Sequence, residues 1–510
     1  MDLLVGLDIG TSGLKAIAID RDRGQVVAQA SHSYPLSTPR PGWAEQECAD
    51  FEGAAVLALR DLVREVGPRK ASIRSIGVTG QMHSAVLLDE ANEPVRPAIL
   101  WCDTRTTAEC DEIRATVGDE GLRRAVGNRA LEGFTLPKLL WVRKHEPEVW
   151  ARVRAVLMPK DFINHRLTGE LGADVSDASG TLVFDPGARR WSATMLNAFE
   201  LSPSLFPDVG ESSACLGRLT PDMALATGLP GGIPVARGAA DNAAGAVGLG
   251  VVRKGRAMAS VGTSGVVLAH TSAYAVGEQM RLHAFCHAVP GQHYAMGVML
   301  SAGGALRWYR DVLGDGERLA AELQQVDPYE IITDTASTAR PGAGGVIFLP
   351  YLMGERTPHN DAAARGALIG LTARTTKADI SRAVIEGITF GLADSLDLLR
   401  ETHPGAAAEI RLTGGGARSP FWRQMMADVF DTPVAVTTST EGPAFGAALL
   451  GGVAAGLFAS VEEAADALVH VTARLPPEPA AASRYREIHA VYRDLYTDLK
   501  ERFRALGRLE

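Results

Sequence analysis

The chain has 510 residues, 46% hydrophobic and 22% charged, the proportions of an ordinary globular protein too long for one hydrophobic core. Its formal net charge of −9, without any dense Lys/Arg run, argues against nucleic acid and against an anionic membrane surface as partners. The five cysteines are odd in number and lack CxxC spacing, so they read as reduced thiols rather than a redox pair or a metal site.

The N-terminus opens into the apolar Leu3-Leu4-Val5 without the cationic flank of a secretory signal. The first elements predicted are two short strands, 3–9 and 14–19, joined as a hairpin by Gly10-Thr11-Ser12-Gly13. A third strand is expected over 26–32, an amphipathic helix over 49–66 and a strand over 75–79. Near the middle, a strand at 233–237 runs into Gly238-Ala239-Ala240-Asp241-Asn242, and a helix of small residues leaves it. The tetrapeptide Gly-Thr-Ser-Gly then recurs at 262–265, between apolar runs at 257–261 and 266–269. The same four residues in the same hairpin context, half a chain apart, point to a duplicated domain.

The second half continues with a helix over 377–400, opened by the capping pair Thr376 and Asp379. A strand at 410–413, a Gly-rich loop, a helix from Pro420 and a strand at 434–437 follow. The uncharged run 443–460 is interrupted by Gly446, Gly451, Gly452 and Gly456, and reads as a buried helix rather than a membrane span. A linker at 476–479 precedes a terminal amphipathic helix from Ser483. This order predicts an α/β protein of two lobes, 1–243 and 244–510. Each would hold a mixed sheet flanked by helices, with a cleft between the lobes. A cytoplasmic location is expected.

Several positions carry chemistry. A Gly-bounded turn converges backbone N–H groups on an anion, so Gly10, Thr11, Ser12 and Gly13, with Lys15 just beyond, are candidates for nucleotide phosphates. Asp8, the one carboxylate of its strand, stands where magnesium could be held; the equivalent position before the second turn is Ser260. In Gly414-Gly415-Gly416-Ala417-Arg418-Ser419-Pro420, Ser419 suits a helix N-cap and Pro420 the first helical turn, so a nucleotide could approach closely there. No Gly-Lys-Ser/Thr follows and the third glycine of a dinucleotide fingerprint is missing, so neither a Walker loop nor a dehydrogenase fits well.

Asp241 opens a helix beside the lobe boundary. It reads either as an ordinary cap or as an ionised carboxylate able to take a proton from a substrate hydroxyl. Gly80-Gln81-Met82-His83 follows a strand, and Trp101 and Asp103 lie in Trp101-Cys102-Asp103-Thr104-Arg105. A Trp ring suits the C–H face of a sugar, with Asp103 accepting from hydroxyls; the plainer alternative is a core Trp beside an Asp–Arg ion pair.

Together these segments resemble the FGGY carbohydrate kinases, part of the superfamily of sugar kinases, heat-shock proteins and actin. Lys160-Asp161, Phe285-Cys286-His287-Ala288 and Gly354-Glu355-Arg356-Thr357-Pro358-His359-Asn360 complete a series that runs in order from about residue 3 to 450. The resemblance implies two ribonuclease-H-like, actin-like ATPase domains around a cleft. It implies Asp241 as proton acceptor and Asp8 as the acid near phosphates, both beside the magnesium. Met82, His83, Trp101, Asp103, Asp241 and Asn242 would meet the sugar, and Gly262, Thr263, Gly414, Gly415 and Ser419 the nucleotide. A Met-His pair after Gly-Gln marks family members that phosphorylate D-xylulose, whereas those acting on glycerol carry Arg-Glu. The expected reaction is therefore transfer from Mg-ATP to D-xylulose, giving the 5-phosphate. The rivals are another sugar kinase of the family and a non-catalytic nucleotide switch. A homodimer is held open. One departure is Ser301-Ala302-Gly303-Gly304-Ala305, where relatives carry somewhat larger residues.

Overall fold

In the computed structural model, which describes residues 2–439 and 441–509, the first sheet begins with β1 (Leu3–Ile9) and β2 (Gly13–Asp20). They pair antiparallel from Leu3↔Asp20 to Ile9↔Leu14, and β3 (Val26–Ser33) continues the meander. Every residue of β1 except Asp8 is buried, as a strand covered on both faces requires. Helix α1 (Cys48–Val66) buries Phe51, Leu59 and Leu62 along one face. β4 (Ile73–Gly80) lies parallel to β1, and β5 (Pro234–Ala236) parallel to β4, with Cys215–Arg218 as the antiparallel edge.

Helix α2 (Asp241–Gly248) follows, and the second sheet repeats the plan. β6 (Arg256–Val261), β7 (Gly265–Thr271) and β8 (His293–Met299) form the antiparallel meander. The long helix α3 (Lys377–Thr402) leads to β9 (Glu409–Gly414), parallel to β6. Then α4 (Pro420–Phe430) leads to β10 (Val434–Thr437), parallel to β9. Helix α5 (Gly442–Ala454) comes next, and β11 (Val471–Leu475) closes the edge antiparallel to β10. Both sheets thus read edge, parallel pair, antiparallel meander, and the expected duplication is present in the topology.

The two sheets are tied by α2 and α5. Helix α5 leaves the second sheet, lies on β1 and β4, and crosses α2. Glycines let the backbones touch: a Cβ on Gly6 would sit 1.9 Å from the Ala444 carbonyl oxygen, and one on Gly77 1.8 Å from that of Ala447. At the crossing, a Cβ on Gly446 would lie 1.8 Å from the Ala244 oxygen. These contacts explain the glycine-broken run, which is buried as expected but stops being helical at Ala454 rather than at 460. Residue 243, the expected boundary, lies inside α2.

The terminal helix spans Pro479–Gly507, starting before 483, and Pro479 is its first residue rather than linker. The strands His293–Met299 and Val471–Leu475 carry no signal singled out from sequence, and His283–Cys286 holds the start of the Phe285 motif without having been expected as a strand. Among the described residues no helix is long and apolar enough to cross a membrane.

Candidate functional site

Alternation along β1 sends Asp8 to the same face as Gly6, the face on which α5 lies. Asp8 therefore opens into a hollow of about 370 Å³ beside Ser12, Lys15, Glu441 and Pro443 at the start of α5. Gly10 N donates to Gly13 O at 3.0 Å, closing the turn, and Ser12 at its tip is exposed. The Thr11 hydroxyl accepts from Trp101 Nε1 at 2.9 Å and donates to Gln81 Oε1 at 3.4 Å, so it ties the turn to the Trp101 side. The Lys15 ammonium also has a protein partner, donating to Glu441 at 2.5 Å across to α5.

Ala240, not Asp241, occupies the N-cap of α2; Asp241 is the first helical residue and its Oδ1 accepts from Asn242 N at 2.6 Å and Asn242 Nδ2 at 2.9 Å. Desolvation raises the Asp241 carboxyl to about 6, against the pull of the Asn242 donors. Asp8 is raised to about 7, first by burial and then by the nearby Asp241 charge, with Lys15 opposing. Asp241 is raised by burial and Asp8 by burial and by the Asp241 charge, so the two carboxyls form an under-neutralised pair, which suits a divalent cation with retained water. Among the described residues no group of three or more His, Cys, Asp or Glu could hold a metal ion; Asp8 and Asp241 are the two carboxylates that could share one with retained water.

Asn242 Nδ2 also reaches Met82 Sδ at 3.8 Å, and the Tyr294 hydroxyl reaches the same sulfur at 3.9 Å. His83 follows with φ of 68°, its Nδ1 at 2.7 Å from the Gly180 carbonyl oxygen. A carbonyl only accepts, so Nδ1 carries the proton and Nε2 keeps its lone pair. Burial pushes His83 down to about 3, which keeps the ring neutral. Phe134 packs on it with ring centroids 4.5 Å apart, and Phe285 lies at 6.1 Å. Met82, His83, Asp241 and Asn242 thus come together.

Trp101 is 41% exposed, an open ring surface held by its bond to Thr11. Asp103 is not available to a sugar: it is 1% exposed, and its oxygens accept from Ala44 N and from Arg105 Nε and Nη2. The guanidinium of Arg105 in turn lies 3.7 Å over the Trp43 ring. The expectation for Asp103 is corrected to a buried ion pair, whose partner two residues on was visible in the sequence.

In the second sheet, the exposed Gly262 and Thr263 turn their carbonyls to Gly303 N at 2.8 Å and Gly304 N at 2.9 Å. A Cβ on Gly303 would lie 2.5 Å from the Gly262 oxygen, so the small residues at 303–304 let the next helix seat against the turn. Val261 pairs with Gly414, and Gly414 has φ of 81° with its Cα 's missing Cβ directed at the Val261 oxygen, 2.5 Å away. Gly414 and Gly415 are exposed beside Gly262 and Thr263, and Ser419 caps α4 by accepting from Trp422 N. The two glycine-rich elements therefore form one backbone-lined surface.

Tyr294 and Phe285 were not singled out as contacts, yet both come from the second half and meet Met82 or His83. The Phe285 motif was a pointer; Tyr294 had none, because only sheet packing brings it across.

Models of the FGGY family of carbohydrate kinases match the chain in two parts, the N-terminal domain over residues 3–248 and the C-terminal domain over 257–455. The chain belongs to the FGGY family of carbohydrate kinases, enzymes that phosphorylate a sugar with ATP. It is 38% identical over 501 residues to the xylulose kinase of Bacillus subtilis (strain 168), covering 98% of each chain. It is 39% identical over 498 residues to the xylulose kinase of Escherichia coli (strain K12), covering 98% of this chain and 99% of that one. A crystal structure described as a xyloylose kinase from Brucella ovis superposes with a TM-score of 0.90 at 38% identity, covering 98% of this chain and 99% of the other.

Proposed function

We propose that the protein transfers the γ-phosphoryl group of ATP to the terminal hydroxyl of D-xylulose, with Asp241 as proton acceptor. The observation that carries this reading is the Asn242 side chain, which joins the Asp241 carboxylate to Met82 beside the neutral His83. A base is thereby set next to a mixed surface, thioether toward carbon and an imidazole lone pair toward a hydroxyl. Such a surface suits an open-chain ketopentose, and the similarity to xylulose kinases supports the same choice.

In this mechanism Asp241 orients the hydroxyl and takes its proton as the new O–P bond forms and the bond to the β-phosphate oxygen breaks. The Asn242 donors hold the carboxylate in place for that transfer. Phosphoryl transfer asks the protein for positioning and charge stabilisation more than for covalent chemistry. Asp8 and Asp241 are the residues that would hold magnesium, whose charge when bound would offset that of the β and γ phosphates. The turn at 10–13 and the exposed backbone of Gly262, Thr263, Gly414 and Gly415 would receive the nucleotide. On this reading residues 1–243 hold most of the sugar contacts and 244–510 those of the nucleotide, with the cytoplasm as the place of work.

A coupled assay for ADP over D-xylulose, D-ribulose, L-ribulose and glycerol tests the reading. The expected kcat/KM for D-xylulose exceeds the others by at least about tenfold, or ~1.4 kcal/mol of discrimination. Preference for another acceptor would reject D-xylulose, and acceptor-independent ADP release would reject the kinase mechanism.

A further inference from the structure

One group of buried ionisable side chains has no part in the chemistry described above. Lys160, on the helix Pro159–Thr168, is wholly buried, and so are Asp174 and Asp177, with Asp161 1% exposed. The Lys160 ammonium contacts Asp161, lies 3.1 Å from Asp174 Oδ1 and 3.8 Å from Asp177 Oδ2. Burying charges is expensive even when they are paired, and apolar side chains would fill the same space at lower cost. The arrangement has a different use.

Several hydrogen bonds in and around it lead to one loop. Lys160 Nζ donates to Arg237 O at 3.3 Å, and Asn164 Nδ2 donates to the same oxygen at 2.8 Å. Asp174 Oδ2 accepts from Ser176 Oγ at 2.5 Å and from Ser212 Oγ at 2.6 Å. The single hydroxyl proton of Ser176 is directed at Asp174, which leaves its lone pairs for the Ala240 amide, 3.0 Å away. The Ser212 carbonyl meanwhile accepts from Gly238 N at 3.0 Å. The segment 237–240 is thus gripped at Arg237 O, Gly238 N and Ala240 N, and the next residue is Asp241.

We propose that Lys160, Asp174 and Ser176 are positioning residues that fix the backbone presenting Asp241, a proposal that rests on Asp241 being the proton acceptor. Lys160 orients the Asp174 carboxylate, Asp174 fixes the direction of the Ser176 hydroxyl, and Ser176 holds the Ala240 amide. The order of the chain makes the action local, because a shift at Ala240 moves Asp241 directly. Asp177 completes the cluster in a different state. Neither of its oxygens has a hydrogen-bond partner, and burial together with the neighbouring carboxylates raises it well above the ordinary range. The shift favours its uncharged form, in a group where a single lysine faces three aspartates.

The test uses full-length Ser176→Ala and Ser176→Thr, with kcat, the KM of each substrate, thermal stability and the pH dependence of kcat as readouts. Ser176→Ala is expected to lose on the order of 10- to 100-fold in kcat with the KM for ATP little changed. Its acid limb should also move, because the surroundings of Asp241 change, and Ser176→Thr should recover most of the rate. A merely structural serine would lower thermal stability without moving the acid limb. A folded Ser176→Ala with parental kcat and acid limb overturns the proposal. If that variant does not fold, Asp174→Asn makes the same cut from the other side. A folded Asp174→Asn with parental kcat and acid limb also overturns it, and loss of fold in both assigns the cluster to stability alone. Asp241→Asn, measured in parallel, separates the two readings: if it turns over normally, the proton-acceptor assignment fails first and the positioning role falls with it.

Discussion

Asp241 and Asp8 are both carboxyls raised by desolvation, and the two shifts have different consequences. A proton acceptor works unprotonated, so turnover should fall as pH drops through about 6, where Asp241 takes up its proton. Asp241→Asn removes the acceptor while keeping its shape, and kcat is expected to fall by about 10²- to 10⁴-fold with ATP affinity retained. Near-parental turnover would refute the role. The Asp8 shift bears on stability as well. Its pKa of about 7 in the folded chain lies above the ordinary value near 4, so the folded state binds the proton more tightly. Its contribution to stability is complete below about pH 4 and lost as pH rises through about 7. In magnesium-free buffer, Asp8→Asn should therefore raise Tm, more at pH 7.5 than at pH 5, while turnover collapses. A Tm that is unchanged or lower at pH 7.5 would show that the carboxylate is not under strain.

The elements owe their limits to local chemistry and their contacts to glycine. Thr376 and Asp379 form a reciprocal capping box at the start of α3, as their spacing predicts. Ser419 and Pro420 open α4 in the same legible way. The α2–α5 crossing depends on absent side chains. Gly446→Ala would place a Cβ 1.8 Å from a backbone oxygen that cannot rotate aside. The change should destabilise by more than about 2 kcal/mol, read as a lower denaturation midpoint. Gly53, on the exposed side of α1 with nothing within 4 Å of a new Cβ, is the matching control. Gly53→Ala should stabilise by up to about 1 kcal/mol through helix propensity. Equal effects at the two sites would remove the close crossing from the account.

At the scale of the whole molecule, the candidate surfaces lie on two sheets joined through one helix crossing. The turn at 10–13 belongs to the first sheet, and the surface of Gly262, Thr263, Gly414 and Gly415 to the second. A ligand spanning both should draw them together, since binding favours whichever arrangement lets it touch both sides. Small-angle scattering with D-xylulose and a non-hydrolysable ATP analogue is expected to give a smaller radius of gyration than the free protein. An unchanged radius at saturating ligand would count against closure. His83→Ala, in turn, should erode the preference for D-xylulose over D-ribulose more than it affects ATP binding.

Sequence alone determined what depends on neighbours in the chain: the two hairpins around Gly-Thr-Ser-Gly, the caps of α3 and α4, the duplication and the family. Hairpin turns and helix caps are settled within a few residues, so their signals are local. Tertiary structure alone decided which side chains meet. It put Tyr294 on Met82, Ser176 on Ala240 and Lys15 on Glu441, pairs separated by tens to hundreds of residues. It turned the Thr11 hydroxyl toward Trp101, because a polar group takes whichever partner packing brings within reach, and it chose for Asp103 the Arg105 partner that their spacing had already offered. No local pattern records the contacts between distant residues, which exist only once the helices and sheets have packed.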